Sequence, residues 1–176
     1  MYIKRIKLKN FKSYAEAEFE FPPPEKGRNL ILVGAENGHG KTTLLEAIYL
    51  CLYDKDAIAN FQRAGLGDSK FKYHDFISQS LYKEAATQMA RSYEMVLEMD
   101  LMKTGAFDEQ GIRIVRKWHF DHHGRYREEF NELMLYSSDK GSLQPVSGEE
   151  IQDYLEDYGL PSEYSTFFFF DGEQLV

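Results

Sequence analysis

Apolar and charged side chains alternate through Tyr2–Phe11, YIKRIKLKNF, and again through AEAEFEF at 15–21. A period of two puts alternate side chains on opposite faces of a strand. Both segments are therefore predicted as half-buried strands, an antiparallel pair at a sheet edge with Lys12 to Tyr14 as the turn. Pro22, Pro23 and Pro24 break the pattern, and NLILV at 29–33 follows as a continuous apolar run. Such a run predicts a strand buried on both faces. The period then changes: Leu44, Leu45, Ile48, Tyr49 and Leu52 recur at helical spacing through TTLLEAIYLCLY. The strand is thus expected to run through a glycine-rich loop into an amphipathic helix.

From Asp54 to about Tyr73 neither period holds, and HDFISQSLYKEAATQMA at 74–90 then predicts a helix. YEMVLEMDLM, IRIVRKWHF and NELMLYS predict three strands, with turns at Gly105–Gly111 and Asp121–Gly124, forming a meander beside the core. Ser147 and Glu150 have the spacing of a capping box that opens a helix over EEIQDYLEDYG, closed by Gly159 and Pro161. STFFFFDGEQLV at 165–176 reads as an aromatic strand and a turn.

Composition narrows the picture. With 176 residues and 43% hydrophobic content, the chain supports one domain with a real core. The formal net charge of -8 excludes a purely electrostatic grip on DNA, so any nucleic-acid contact needs a local patch or a partner. The single cysteine, Cys51, excludes an internal disulfide and fits a reducing compartment. No apolar run has the ~20 residues needed to span a bilayer. A cytoplasmic, bacterial, nucleoid-associated protein without a membrane partner is expected.

The chemistry is concentrated in LVGAENGHGKTT at 32–43. A phosphate loop works because successive backbone N–H groups converge on anionic oxygens while the following helix adds its positive end. In the pattern G-x-x-x-x-G-K-[ST], Ala35 stands at the opening glycine, with Gly34 one place upstream. That position is farthest from the phosphates, so a methyl group there is the mildest departure. Asn37, Gly38, His39, Gly40, Lys41, Thr42 and Thr43 form the predicted nucleotide-binding set. Lys41 is placed to reach the β and γ phosphates and Thr42 to put its hydroxyl on Mg²⁺; the His39 side chain has no assigned chemistry. ATP with Mg²⁺ is the expected cofactor pair, although no motif discriminates ATP from GTP.

Two readings of the remaining motifs stay open. FFFFDGE has the form of a Walker B strand, with Asp171 as metal ligand and Glu173 as base, and VSGEE at 146–150 has some likeness to an ABC signature. Together they describe a compact stand-alone P-loop NTPase. Against it, an ABC head needs further strands after Walker B, and Ser147 to Glu150 is sufficiently explained as a helix cap.

The second reading accounts for more residues. IKLKNFKSY, the NGHGKTTLLEAI loop and the β-rich insert resemble the N-terminal lobe of SMC-like ATPase heads. IRIVRKWHF, the Pro161 turn and FFFFDGEQL look more narrowly like the DndD-type ATPase of bacterial DNA phosphorothioate systems, over essentially the whole chain. The resemblance implies an α/β P-loop fold, the N-terminal half of an ABC/SMC-like head, with an antiparallel β-meander alongside. It implies that Lys12 lies near the nucleotide, and that FFFFDGEQL occupies the Q-loop place. Asp171 then stands where repair ATPases carry glutamine, and would serve the metal and the hydrolytic step with Lys41. The signature, Walker B and switch histidine would belong to a C-terminal lobe beyond a coiled coil, the partner being that lobe or a second protomer joined on ATP. Other DNA-modification subunits, and DNA itself through the assembled complex, are the further partners implied, with little turnover expected from this lobe alone.

Three other features have bland and sharp readings. His119, His122 and His123 suit an exposed hairpin turn better than a metal site. Phe167–Phe170 suits a buried strand better than a stacking platform. Lys4, Arg5, Lys7, Lys9 and Lys12 form either a DNA-contacting hairpin or a solvated strand face.

Overall fold

The computed structural model describes residues 1–27, 30–34, 36, 40–63, 72–85, 92–103, 110–139, 142–147 and 149–158. Within them lie β1 (Tyr2–Phe11), β2 (Tyr14–Glu20), α1 (Lys41–Tyr53), α2 (Asp56–Arg63), α3 (Tyr73–Ser80), β3 (Ser92–Met102), β4 (Gln110–Asp121), β5 (Tyr126–Asp139), β6 (Ser142–Pro145) and α4 (Ile151–Tyr158).

The strands form one antiparallel sheet in the order β2-β1-β3-β4-β5-β6. The expected hairpin and meander are therefore continuous. β1 pairs with β3 along nearly its whole length, Leu8 opposite Leu97 and Ile6 opposite Met99, so the meander builds the core and does not merely lie beside it. The register follows from burial. Ile6 and Leu8 on β1, Met95 to Leu101 at alternate positions on β3, and Ile112, Ile114, Trp118 and Phe120 on β4 point the same way, all essentially without solvent contact. A slip of one residue would expose that entire row.

The helices cover this face. Leu44, Ala47, Leu50 and Cys51 of α1, Ala57, Ile58 and Phe61 of α2, and Phe76 and Ile77 of α3 join the same apolar cluster. α2 lies where no period was expected, yet its stripe of Ala57, Ile58 and Phe61 was present in the sequence. α3 is shorter than its pattern: the chain turns extended at Leu81, which bridges to Phe11. α4 begins at Ile151, after a turn in which the Glu150 N–H donates to the Ser147 carbonyl (3.0 Å). Its predicted stop at Gly159 and Pro161 lies outside the described residues.

The opposite face is a charge ladder. Arg5 donates to Glu18 (2.9 Å), Glu98 (2.8 Å) and Asp100 (3.1 Å), and Arg113 clamps Asp100 from the next strand (2.6 Å). Lys7 pairs with Glu16 at 3.1 Å, so much of the basic hairpin is neutralised within the sheet. This favours the solvated-face reading of Arg5 and Lys7.

One expectation fails outright. Leu30, Ile31, Leu32 and Val33 form no strand and are exposed, Leu32 to 86%. A strand apolar on both faces needs neighbours on both edges and a layer above and below. Among the described residues the sheet is complete without it. The α/β expectation thus holds in part: a six-stranded antiparallel sheet with helices on one face and, among the described residues, no parallel strand before α1. Among the described residues no helix is long and apolar enough to cross a membrane.

Candidate functional site

The site begins where the chain enters α1. Gly40 has φ 89, a left-handed conformation that L side chains resist, and its carbonyl accepts the first helical bond from Leu44 N–H (2.9 Å). A Cβ at Gly40 would collide with the Tyr14 hydroxyl, which donates to the Gly40 carbonyl at 3.3 Å. The backbone angle therefore favours glycine, and any larger residue would also displace the Tyr14 hydroxyl. No side-chain cap closes the helix and no acidic residue stands in its first turn, so neither competes with an anion for the positive end of α1. Anions are favoured there for the same reason.

Lys41 and Thr42 occupy that first turn and are exposed; Thr43 is half-buried. The Lys41 ammonium lies 3.5 Å from the Glu36 carbonyl oxygen, folded back along the loop. Ala35, Asn37, Gly38 and His39 lie outside the described residues. So do Asp171, Glu173 and the Phe167–Phe170 run.

Lys12, in the β1–β2 turn, reaches α1 at Glu46. Its ammonium donates to Glu46 Oε1 at 2.5 Å and stands 4.5 Å from the centre of the Phe76 ring. Glu46 is buried, at 6% exposure. Burial pushes its carboxyl above the usual glutamate range, and Lys12 pulls against that shift. Helix periodicity drew attention to the apolar positions of α1 and passed over Glu46. A charged residue between Leu45 and Ala47 was the available signal. Tyr14 was read as a turn residue; its contact with Gly40 depends on the tertiary fold.

At the far end, α1 stops at Asp54 (φ 49), and the buried Arg116 donates from Nε to the Cys51 carbonyl at 2.8 Å. Arg116 Nη1 also lies 3.4 Å from Asp54, whose other oxygen accepts from Tyr73. α1 is thus held at both ends, by Tyr14 and by a cation at its negative terminus.

His122 and His123 lie in the exposed turn, whereas His119, expected there too, stands within β4 and is half-buried. The Asp121 carboxylate accepts from the His123 and Arg125 N–H groups and from the Arg125 and Arg127 side chains. His119 pairs with Glu132 at 2.9 Å. Among the described residues no cluster of three or more metal-ligating side chains forms.

A model of the AAA domain matches residues 5–174. The chain belongs to the AAA domain family. This AAA domain is similar to the DNA double-strand break repair Rad50 ATPase of Nanoarchaeum equitans, 48% identical over 54 residues, 31% of this chain and 6% of the relative. It is similar to the DNA replication and repair protein RecF of Desulfitobacterium hafniense, 38% identical over 82 residues, 45% of this chain and 21% of the relative. The Rad50 ATPase of Methanocaldococcus jannaschii matches at 30% over 110 residues, 60% of this chain and 9% of the relative. The matched stretches are thus between 6% and 21% of these relatives' lengths. The likeness to SMC-like ATPase heads is borne out at the level of Rad50 and RecF. The narrower DndD likeness is not among these findings.

Proposed function

We propose that this AAA domain is the nucleotide-binding lobe of an SMC-like ATPase head of the Rad50 and RecF kind, acting in DNA repair or replication. The observation that carries this is the entry to α1. A glycine favoured by φ leads into a helix whose first turn holds no acidic residue, with Lys41 and Thr42 in that turn. These residues fit a nucleoside triphosphate with Mg²⁺: backbone N–H groups and Lys41 for the phosphates, the Thr42 hydroxyl for the metal. Mg²⁺, when bound, neutralises charge on the transferred phosphoryl group. This chain's own part is to hold and orient the phosphates. Asn37, Gly38, His39, Gly40 and Thr43 belong to the same proposed set.

The partner follows from the exposed run. Leu30–Val33 flanks an apolar groove of about 370 Å³ whose walls include Tyr2, Ile3, Phe21 and Ile48. A segment apolar on both faces is soluble only once covered. A C-terminal lobe of the same head, or a second protomer engaged on ATP, is the proposed cover. Service in a DNA phosphorothioate or defence system is the narrower reading and rests on the IRIVRKWHF and FFFFDGEQL resemblance alone.

The test is an ATP-binding titration and a steady-state ATPase assay of the chain with Mg²⁺, beside Lys41→Ala. Binding lost by about tenfold or more in Lys41→Ala, with little turnover in either protein, is the expected result, since removing a charge-assisted phosphate contact forfeits roughly 1.5–3 kcal/mol. Robust Lys41-dependent turnover would instead establish the stand-alone NTPase, with Asp171 and Glu173 as its catalytic pair. Absence of binding would overturn both.

A further inference from the structure

The β1–β2 turn carries a cation in a backbone conformation that side chains disfavour. Asn10 and Lys12 have φ 54 and φ 48; asparagine tolerates that region, whereas lysine there is strained. The turn is held without any ammonium. The Lys12 N–H donates to the Ser80 carbonyl (2.6 Å), the Tyr82 N–H to the Asn10 carbonyl (2.9 Å), and the Asn10 amide to the Glu94 carbonyl (2.8 Å). Glycine at position 12 would keep these bonds and remove the strain. Strain that persists where the surroundings over-determine it points towards function.

The other half of the pair is equally unnecessary to folding. Glu46 lies on α1 among Leu44, Ala47, Leu50 and Cys51, all buried. Taking a carboxylate out of water to face one ammonium gains little over an uncharged side chain of similar volume. The location of the pair supplies the reason for it. Helical side chains lean back towards the N-terminus, so Glu46 is directed towards the first turn of α1, and Lys12, bonded to it, is held on that side. Tyr14, from the same turn as Lys12, already reaches Gly40.

We propose that Glu46 is a positioning residue that competes with the terminal phosphate of a nucleoside triphosphate for Lys12. Without nucleotide Glu46 holds the ammonium beside the phosphate end of α1. A triphosphate draws it away, and a diphosphate, one phosphate shorter, leaves the pair intact. The competition rests on the nucleotide reading above. It makes the Lys12–Glu46 pair a device that lowers triphosphate affinity selectively, because only the triphosphate must break it.

The experiment is calorimetric titration of the whole chain with Mg²⁺ and either ATPγS or ADP. Glu46→Gln is expected to tighten ATPγS binding by about fivefold or more, the low end of ordinary coupling between sites, while ADP stays within about twofold of wild type. In a Lys12→Met background the same substitution is expected to move neither ligand by more than about twofold, since the effect passes through Lys12. If Glu46→Gln leaves ATPγS affinity unchanged while the wild type binds, the competition is overturned and the nucleotide reading stands. An undiminished effect in the Lys12→Met background also overturns it, assigning the gain to removal of a negative charge near the phosphates. Failure of the wild type to bind overturns both. A measurement on the unaltered chain covers the case in which a variant does not fold. The ¹⁵N ammonium resonance of Lys12, assigned through Lys12→Arg, is expected to move on saturation with ATPγS and not with ADP. A resonance indifferent to ATPγS sinks the proposal.

Discussion

Asp100 shows how single residues on the sheet's polar face set the response to acid. Burial works against ionisation of its carboxyl, but hydrogen bonds and charge from Arg113 and Arg5 outweigh burial and hold it below the usual aspartate range. A folded-state pKa below the unfolded value means stability that is fully present above about pH 4 and is lost as pH falls through the lower folded value. The urea midpoint should therefore drop on acidification from pH 5 towards pH 2. Asp100→Asn should flatten that dependence and cost roughly 1–3 kcal/mol at pH 7, because Arg5 and Arg113 lose a shared acceptor. An unchanged acid limb in the variant would assign the effect to other carboxylates. Glu46 runs in the opposite sense. Its raised pKa makes ionisation costly at neutral pH, a cost relieved as pH falls, which fits a carboxylate kept for a task other than stability.

Among the elements, α1 carries the most consequence. Its amphipathic period was plain in TTLLEAIYLCLY, and the glycine-lysine-threonine sequence located its first turn. Its anchoring was not legible. Arg116 lies in an inward row with Ile112, Ile114, Trp118 and Phe120, a place where alternation alone predicts an apolar residue. It is charged because the end of α1 abuts β4 there, with the Cys51 carbonyl and Asp54 to satisfy. Arg116→Met should leave that carbonyl without its donor and Asp54 without its cation, at about 1–3 kcal/mol by urea denaturation. A stability loss under about 0.5 kcal/mol, the range of ordinary surface changes, would show that the contact is incidental. α2 does not stand out in the sequence because three inward-facing apolar positions over eight residues are too brief a signal beside the polar stretch that follows.

For the whole molecule, the sheet's outer face and the exposed run set opposite surface properties. The ladder from Glu16 through Lys7, Arg5 and Asp100 to Arg113 balances its charge internally, so the N-terminal hairpin is not a free basic patch on a chain of net charge -8. Leu30–Val33 is the reverse, an apolar segment with no charge to keep it apart from other copies. Leu32→Lys should leave unfolding free energy within about 0.5 kcal/mol of wild type, since the side chain is already exposed. Light scattering should show it monodisperse at higher concentration. A large loss of stability would mean that this segment is buried in the folded chain after all, and would remove the argument for a covering partner.

The sequence by itself determined what depends on neighbours along the chain. A period of two makes strands, a period near 3.6 makes α1, and the glycine before Lys41 marks a turn that a side chain would disfavour. It also carried enough identity of pattern to place the chain with SMC-like heads. Only the tertiary structure decided what depends on neighbours in space. β1 joins the meander through β3, Lys12 finds Glu46 and Tyr14 finds Gly40, since these contacts need the long closure of one sheet over one helix. NLILV marks the boundary between the two kinds of information. Its composition is that of a buried strand, but burial requires surfaces on both faces, and no local pattern can supply them.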